Sequence, residues 1–372
     1  MRPIDDRLSW DPTANAAEGY GVIECVVCWE GIMADNSHKP TIHWYRCPVS
    51  REDLAGLNKR SNLKAAFQTC GYLGLLAVTG TVAAVAAGRI HWSLVLVLLF
   101  VHGTGYAFII NGFHELVHDS VFKTRFLNRF FLWIFSFLGW YNHIGFWASH
   151  TEHHKYTLHP PADLEVVLPA KLTLRGFLTS AIVDPRRFYD VLKDNIRISR
   201  NRLEGEWEKH LFETVVPQQR RRYVNWARFV LVGHAAIVVV SLALEWWMVP
   251  IVVTLAHCYG SALQWLCNNT QHIGLQDDVA DFRLCTRTIL LNPLFQFLYW
   301  HMNFHIEHHM YAAVPCYNLG KLHRLIRHDL PASPRGLLAT WRHISTILKR
   351  QRDDPDYQYI SELPSPATSK AS

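Results

Sequence analysis

Two long apolar runs lying almost back to back set the strongest limit on how this chain can fold. FQTCGYLGLLAVTGTVAAVAA, from Phe67 to Ala87, has no charged residue, and SLVLVLLFVHGTGYAFIINGF, from Ser93 to Phe113, has only His102 as an ionisable group. Each supplies the roughly 20 residues a helix needs to cross a hydrocarbon core of about 30 Å. Only GRIHW separates them, so a hairpin is expected. A second pair follows, about 229–247 and 251–268, shorter in its apolar core and flanked by Trp226, Trp246, Trp247 and Trp265 as interfacial anchors. A hydrophobic fraction of 49% and 14 Trp fit the same class better than two soluble domains.

Two further apolar segments, Phe130 to Trp147 and Thr288 to Phe304, are aromatic-rich and interrupted by Asn142, His143, Asn292 and Pro293. They are expected as helices lying in the membrane interface, with a third pair of spans as the alternative. The expected fold is an all-α membrane protein with four transmembrane helices in two hairpins, interfacial helices and a cytosolic helical cap. Residues 1–66 form an N-terminal segment, poorly structured over about 1–40. Residues 67–325 form the membrane domain and 326–372 a C-terminal tail.

The two short turns carry only Arg89 and Glu245, whereas most Lys and Arg fall before Phe67, between Lys123 and Arg228, and after the last span. The positive-inside rule then puts these regions, both termini and every histidine cluster on the cytosolic side of an endoplasmic reticulum or bacterial inner membrane. The net charge of +6 needs no nucleic-acid partner, since this bias accounts for it. Eight scattered cysteines suggest no disulfide framework. Cys25, Cys28, His38, His43 and Cys47 offer zinc-type donors, though at spacings that match no finger. Alternatively the stretch before Met33 is unstructured, MADNSHKPTIHWYRCPVS reading as a plausible start. No cleavable signal peptide is expected, because VIECVVCW is short and has acidic flanks.

The chemistry lies in the histidines. SHTEHHKYT places His150, His153 and His154 at the spacing that NFHIEHHMY repeats with His305, His308 and His309. With 22 histidines in the chain, chance would produce about 0.08 such matches, so two are not accidental. Offsets of three and four put each triplet on one helix face. His114 and His118, in HELVH directly after the second run, are also one turn apart. In CNNTQHIGL, His272 stands level with them at the end of the fourth run, with Asn268 one turn earlier. Nine imidazoles exceed the four to six ligands of one metal and fit two metals sharing a pocket, of a kind that favours imidazole, such as iron, copper, nickel or zinc. Glu115, Asp119, Glu152, Asp163, Glu165 and Glu307 are candidates to accept the outward N–H of a ligating histidine, with Asp163 and Glu165 the pair of first interest.

HELVH, SHTEHHKYT and HMNFHIEHH resemble the three histidine boxes of the membrane fatty-acid desaturase and hydroxylase superfamily, and NNTQH resembles the extra histidine with an upstream Asn found in stearoyl-CoA desaturases. The resemblance covers about Ser93 to Leu325. It implies a four-span helical fold and a non-haem di-iron centre that uses O2 and two external electrons on an unactivated C–H bond. The implied ligands are His114, His118, His150, His153, His154, His272, His305, His308 and His309, with Asn268 as a weaker tenth partner acting through water. The expected reaction is desaturation of a fatty-acyl or related lipid chain, with hydroxylation of a lipid or specialised metabolite as the alternative. The first box has three residues between its histidines where the acyl-CoA type has four, so the substrate carrier stays open. No HPGG, CxxCH, ferredoxin-like cysteine set or dinucleotide fingerprint occurs. The implied electron donor is therefore external, a cytochrome b5 or a ferredoxin with its reductase. HELVH also satisfies HExxH, so a zinc-dependent intramembrane protease is the distant rival, one that leaves both HxxHH boxes unused.

Overall fold

The computed structural model describes residues 41–168, 172 and 174–364. Cys25, Cys28, His38 and Met33 lie outside that range. The described residues are helical, with three isolated β-bridges and no strand. In chain order the helices are α1 (Arg51–Leu57), α2 (Asn62–Ala86), α3 (Trp92–Ala107), α4 (Ile109–Val117), α5 (Arg125–Leu138), α6 (His143–Tyr156), α7 (Leu174–Ala181) and α8 (Pro185–Ser199). They continue with α9 (Gly205–Lys209), α10 (Arg220–Ala243), α11 (Ala262–Asn268), α12 (Phe282–Cys285), α13 (Pro293–Leu298), α14 (His305–Met310), α15 (Cys316–Ile326) and α16 (Gly336–Asp353).

Three helical runs are long and apolar enough to cross a membrane: Asn62–Ala86, Trp92–Val117 and Pro217–Ala243. Their outward faces carry Leu63, Phe67 and Val78 on α2, Leu94 and Val97 on α3, and Phe229, Val232 and Val239 on α10, all well exposed. Outward apolar surface on this scale is stable against lipid and costly against water. Helices α2 and α3 run antiparallel. The Tyr72 hydroxyl donates to the Gly105 carbonyl at 2.7 Å, while later in α2 Thr79 meets the earlier His102 at 2.9 Å. The first and third runs begin several residues before the apolar stretches do. Hydropathy marks the hydrocarbon length, whereas helical hydrogen bonding continues through the polar boundary, where Ser61 caps α2.

The expected fourth span, 251–268, is not one helix. A π-helical turn over Pro250–Thr254, a 3-10 turn over Ala256–Cys258 and α11 divide it. Each carbonyl from Ile251 to Thr254 faces a side-chain group. Tyr259 Oη lies 3.0 Å from Ile251 O, His102 Nε2 2.9 Å from Val252 O, Tyr106 Oη 3.1 Å from Val253 O, and Trp140 Nε1 3.0 Å from Thr254 O. Such partners are what irregular backbone needs where water is absent. Gly260 follows with φ +74°, and a Cβ there would lie 2.6 Å from Thr104 N, so this segment and α3 cross backbone to backbone.

The two interrupted segments also differ from membrane-length helices. Residues 130–147 divide between α5 and α6, and 288–304 contain only the six-residue α13. Helix α5 buries Asn128, Phe135 and Ser136 and exposes Phe126, Phe130 and Trp133, the two-sided pattern of an interfacial helix.

Candidate metal centre

Helix α4 continues α3 past a turn at Phe108 and carries His114, with His118 as its C-cap. Helix α6 begins where Asn142 Oδ1 accepts from Ile144 N and Gly145 N, and it carries His150, His153 and His154. Helix α14 carries His305, His308 and His309, and its Ile306 N donates to Thr288 Oγ1 at 3.2 Å. His272 lies in the turn after α11. All four sources meet in one pocket.

Their nitrogens form two groups, each able to hold a metal ion. His114, His118, His150, His154 and His308 make the first, and His153, His272 and His309 the second, with ligand atoms within 4.8 Å of one another in each. His305 adjoins the second, its Nε2 lying 3.0 Å from His272 Nε2 and 3.1 Å from His309 Nε2. In the first group Nε2 of His114 is 3.0 Å from that of His308, and Nε2 of His154 is 3.0 Å from that of His150. Asn268 ends α11, half-buried, one turn before His272.

The outer nitrogens explain why the inner ones converge. His153 Nδ1 lies 2.8 Å from Asp163 Oδ2, and His150 Nδ1 lies 2.6 Å from Glu165 Oε1. His272 Nδ1 is 2.9 Å from the Cys285 carbonyl, and His309 Nδ1 is 3.3 Å from Thr157 Oγ1, whose hydroxyl donates to His153 O. A carbonyl only accepts, so the His272 proton is on Nδ1 and its Nε2 is bare; the same reasoning leaves His309 Nε2 bare. His305 Nε2–H can satisfy one of these two nitrogens and not both. A cation among these lone pairs resolves the conflict, and an outward-hydrogen-bonded imidazole is the usual metal-ligand arrangement. The donor set therefore fits metal ions that take imidazole.

The sequence profile of fatty acid desaturases matches residues 90–341. The chain belongs to the fatty acid desaturase family. No curated protein matches it. Family membership makes the chain an oxidoreductase, so the protease reading of HELVH is set aside, and both of its histidines sit in the five-histidine group rather than in an isolated pair. As in the family, the histidine clusters suit a di-iron site.

Charge follows burial here. Desolvation, reinforced by neighbouring imidazoles, holds His150, His154, His305, His308 and His309 well below the usual histidine range, with His118 near 4 and His272 near 3. Neutral rings with free lone pairs are the state a metal requires. His153 goes the other way: burial opposes its charge, but the charge and hydrogen bond of Asp163 outweigh burial and raise it. Asp163 is correspondingly lowered, while burial pushes Glu165 up to about 7.

Among the other expected carboxylates, Glu115 Oε1 lies 3.3 Å from His308 Nδ1, and neither atom has a better hydrogen-bond partner. Glu152 pairs with Lys155 at 2.7 Å. Glu307 turns to Thr288 and His323. Asp119 leaves the helix with φ 52° and its Oδ1 buried without a partner. Thr157, Thr288, His323 and the Cys285 carbonyl were not foreseen. Thr288 and His323 lie outside any box, Thr157 closes the SHTEHHKYT stretch without being one of its histidines or carboxylates, and a carbonyl carries no residue-type signal.

Proposed function

We propose that this chain is a four-span membrane enzyme that uses O2 and two externally supplied electrons to desaturate the alkyl chain of a fatty-acyl or related lipid. Two irons would be held by His114, His118, His150, His153, His154, His272, His305, His308 and His309, with Asn268 reaching the site through water. When bound, such a pair supplies the redox chemistry and open coordination positions that attack on an unactivated C–H bond demands. The meeting of nine imidazoles with mutually facing bare nitrogens carries this reading.

The chain's own residues do the rest. Asp163 and Glu165 hold the Nδ1 protons of His153 and His150 and fix their rotation, as the Cys285 carbonyl does for His272. Phe146 stacks on His150 with ring centroids 4.8 Å apart, and Phe282 lies 5.3 Å from His309, so apolar rings flank both groups and exclude water. The broken 251–268 segment is the fourth span, its bare carbonyls closed by side chains. By charge bias the histidines and both termini face the cytosol, where a cytochrome b5 or ferredoxin would deliver electrons.

Metal analysis of detergent-purified protein, with Mössbauer spectroscopy, tests this directly. About two spin-coupled irons per chain, lost in His308→Ala, is the result expected for a cluster sharing its ligands. One zinc and no iron after iron-replete expression would overturn the reading.

A further inference from the structure

A second polar site lies where α2 starts. Lys59, Arg60, Lys64, Lys123 and Lys321 line one cavity of about 500 Å³ whose lining contains no carboxylate. None of the five forms an ion pair among the described residues. The cavity also gathers two helix N-termini. Asn62 Nδ2 donates to Thr124 Oγ1 at 2.8 Å and Thr124 N donates to Asn62 Oδ1 at 3.0 Å, tying the first residue of α2 to the N-cap of α5. Neither helix has an acidic residue in its first turn. Two positive dipole ends and five cations with no ion-pair partner among the described residues make the space favourable for an anion, and phosphate oxygens suit such a setting.

The surroundings select the source of that phosphate. Within a turn of the lining residues, Leu63 (82% exposed), Phe67 (75%) and Phe126 (71%) point outward. A cationic cavity bordered by outward apolar side chains at the start of a membrane-length helix matches a phospholipid, with its headgroup in the cavity and its chains along those residues. Asn318, buried in the same lining, donates to Leu57 O at 2.8 Å and leaves its Oδ1 buried and unpartnered.

We propose that this cavity binds the phosphate headgroup of an anionic membrane phospholipid. The site does not depend on the proposed reaction.

The test is native mass spectrometry on delipidated full-length protein in neutral detergent, titrated separately with phosphatidylglycerol, phosphatidylcholine, inorganic phosphate and palmitoyl-coenzyme A. Phosphatidylglycerol should be retained about tenfold more strongly than phosphatidylcholine, and Lys64→Gln/Lys123→Gln/Lys321→Gln should abolish the preference. Should the triple variant not fold, Lys321→Gln alone, at an exposed position, should still weaken phosphatidylglycerol retention several-fold. Equal retention of the two lipids, or retention unchanged in the variants, overturns the proposal. Binding of phosphate or palmitoyl-coenzyme A with phosphatidylglycerol excluded also overturns it, and assigns the cavity to a soluble phosphate ligand.

Discussion

His153 and Asp163 face each other across 2.8 Å, at 2% and 0% side-chain exposure, with Asp163 also accepting from the backbone N–H groups of Leu158 and Glu165. Three donors fix the carboxylate, and the carboxylate in turn fixes the imidazole. Asp163→Asn should therefore lower metal affinity by about 10- to 100-fold, and Glu165→Gln by a similar factor through His150. Metal retention during dialysis against graded chelator measures both. Retention equal to wild type would remove these carboxylates from the site's machinery.

Stripping the metal should destabilise the protein, because His305 Nε2–H can then satisfy only one of the bare nitrogens of His272 and His309. Binding at 100 times Kd is worth about 2.7 kcal/mol, so a drop of several degrees in the thermal midpoint is expected after chelation, restored by ferrous iron. An unchanged midpoint would mean that no ion is held there.

Gly260→Ala should be strongly destabilising. Its φ of +74° disfavours any side chain, and the added Cβ would sit 2.6 Å from Thr104 N and 2.7 Å from Gly103 C, backbone atoms that cannot swing aside. Loss of about 2 kcal/mol or more is expected from such overpacking. Comparison of thermal midpoints in detergent checks this, with Gly56→Ala, which meets nothing within 4 Å, as the control.

His102→Leu removes the group that meets the Val252 carbonyl and should cost about 1–3 kcal/mol, the desolvation of an unpaired buried acceptor. Iron content should be retained, since His102 is not in the metal pocket. Loss of stability together with loss of iron would show that this carbonyl closure also shapes the site.

Arg283 bonds Asp329 at 2.7 Å, and Tyr45 donates its hydroxyl to the same carboxylate. Burial pushes Asp329 up, but the Tyr45 and Cys47 hydrogen bonds and the Arg283 charge outweigh it and hold Asp329 below its ordinary value. As pH falls the unfolded chain takes up this proton first. The stabilisation is thus complete above about pH 4 and disappears as pH drops through the folded value. Asp329→Asn should cost about 2 kcal/mol at neutral pH, and the difference from wild type should shrink below pH 4. Thermal midpoints from pH 6 to pH 3 report it.

The membrane-length runs and the histidine boxes were legible because each is a local pattern: apolarity over one helix length, or imidazoles one turn apart. Asp163 and Glu165 were legible as candidates because they follow the second box closely in the chain. The break between Pro250 and Ser261 was not, since hydropathy records how apolar a residue is and says nothing of where its carbonyl bonds. The groups that close those carbonyls include His102 and Trp140, more than a hundred residues away in sequence. For the same reason Glu307, chosen for its place inside a box, turns to His323, while Glu152 turns to Lys155. Helical periodicity names the face of a residue, whereas the partner it finds there is a tertiary matter.

A regular helix can slip along its neighbours by a turn and keep its own bonds. The stretch from Ile251 to Thr254 has no such freedom, because each of its carbonyls answers to a different side chain. Everything downstream to His272 is thereby indexed to the spanning helices, and the reach from His272 to the boxes behaves like a machined dimension rather than a loop length. A single residue inserted between Thr254 and Gly260 would leave the Val252, Val253 and Thr254 matings in place and put Gly260 and His272 out of step with them, however conservative its chemistry.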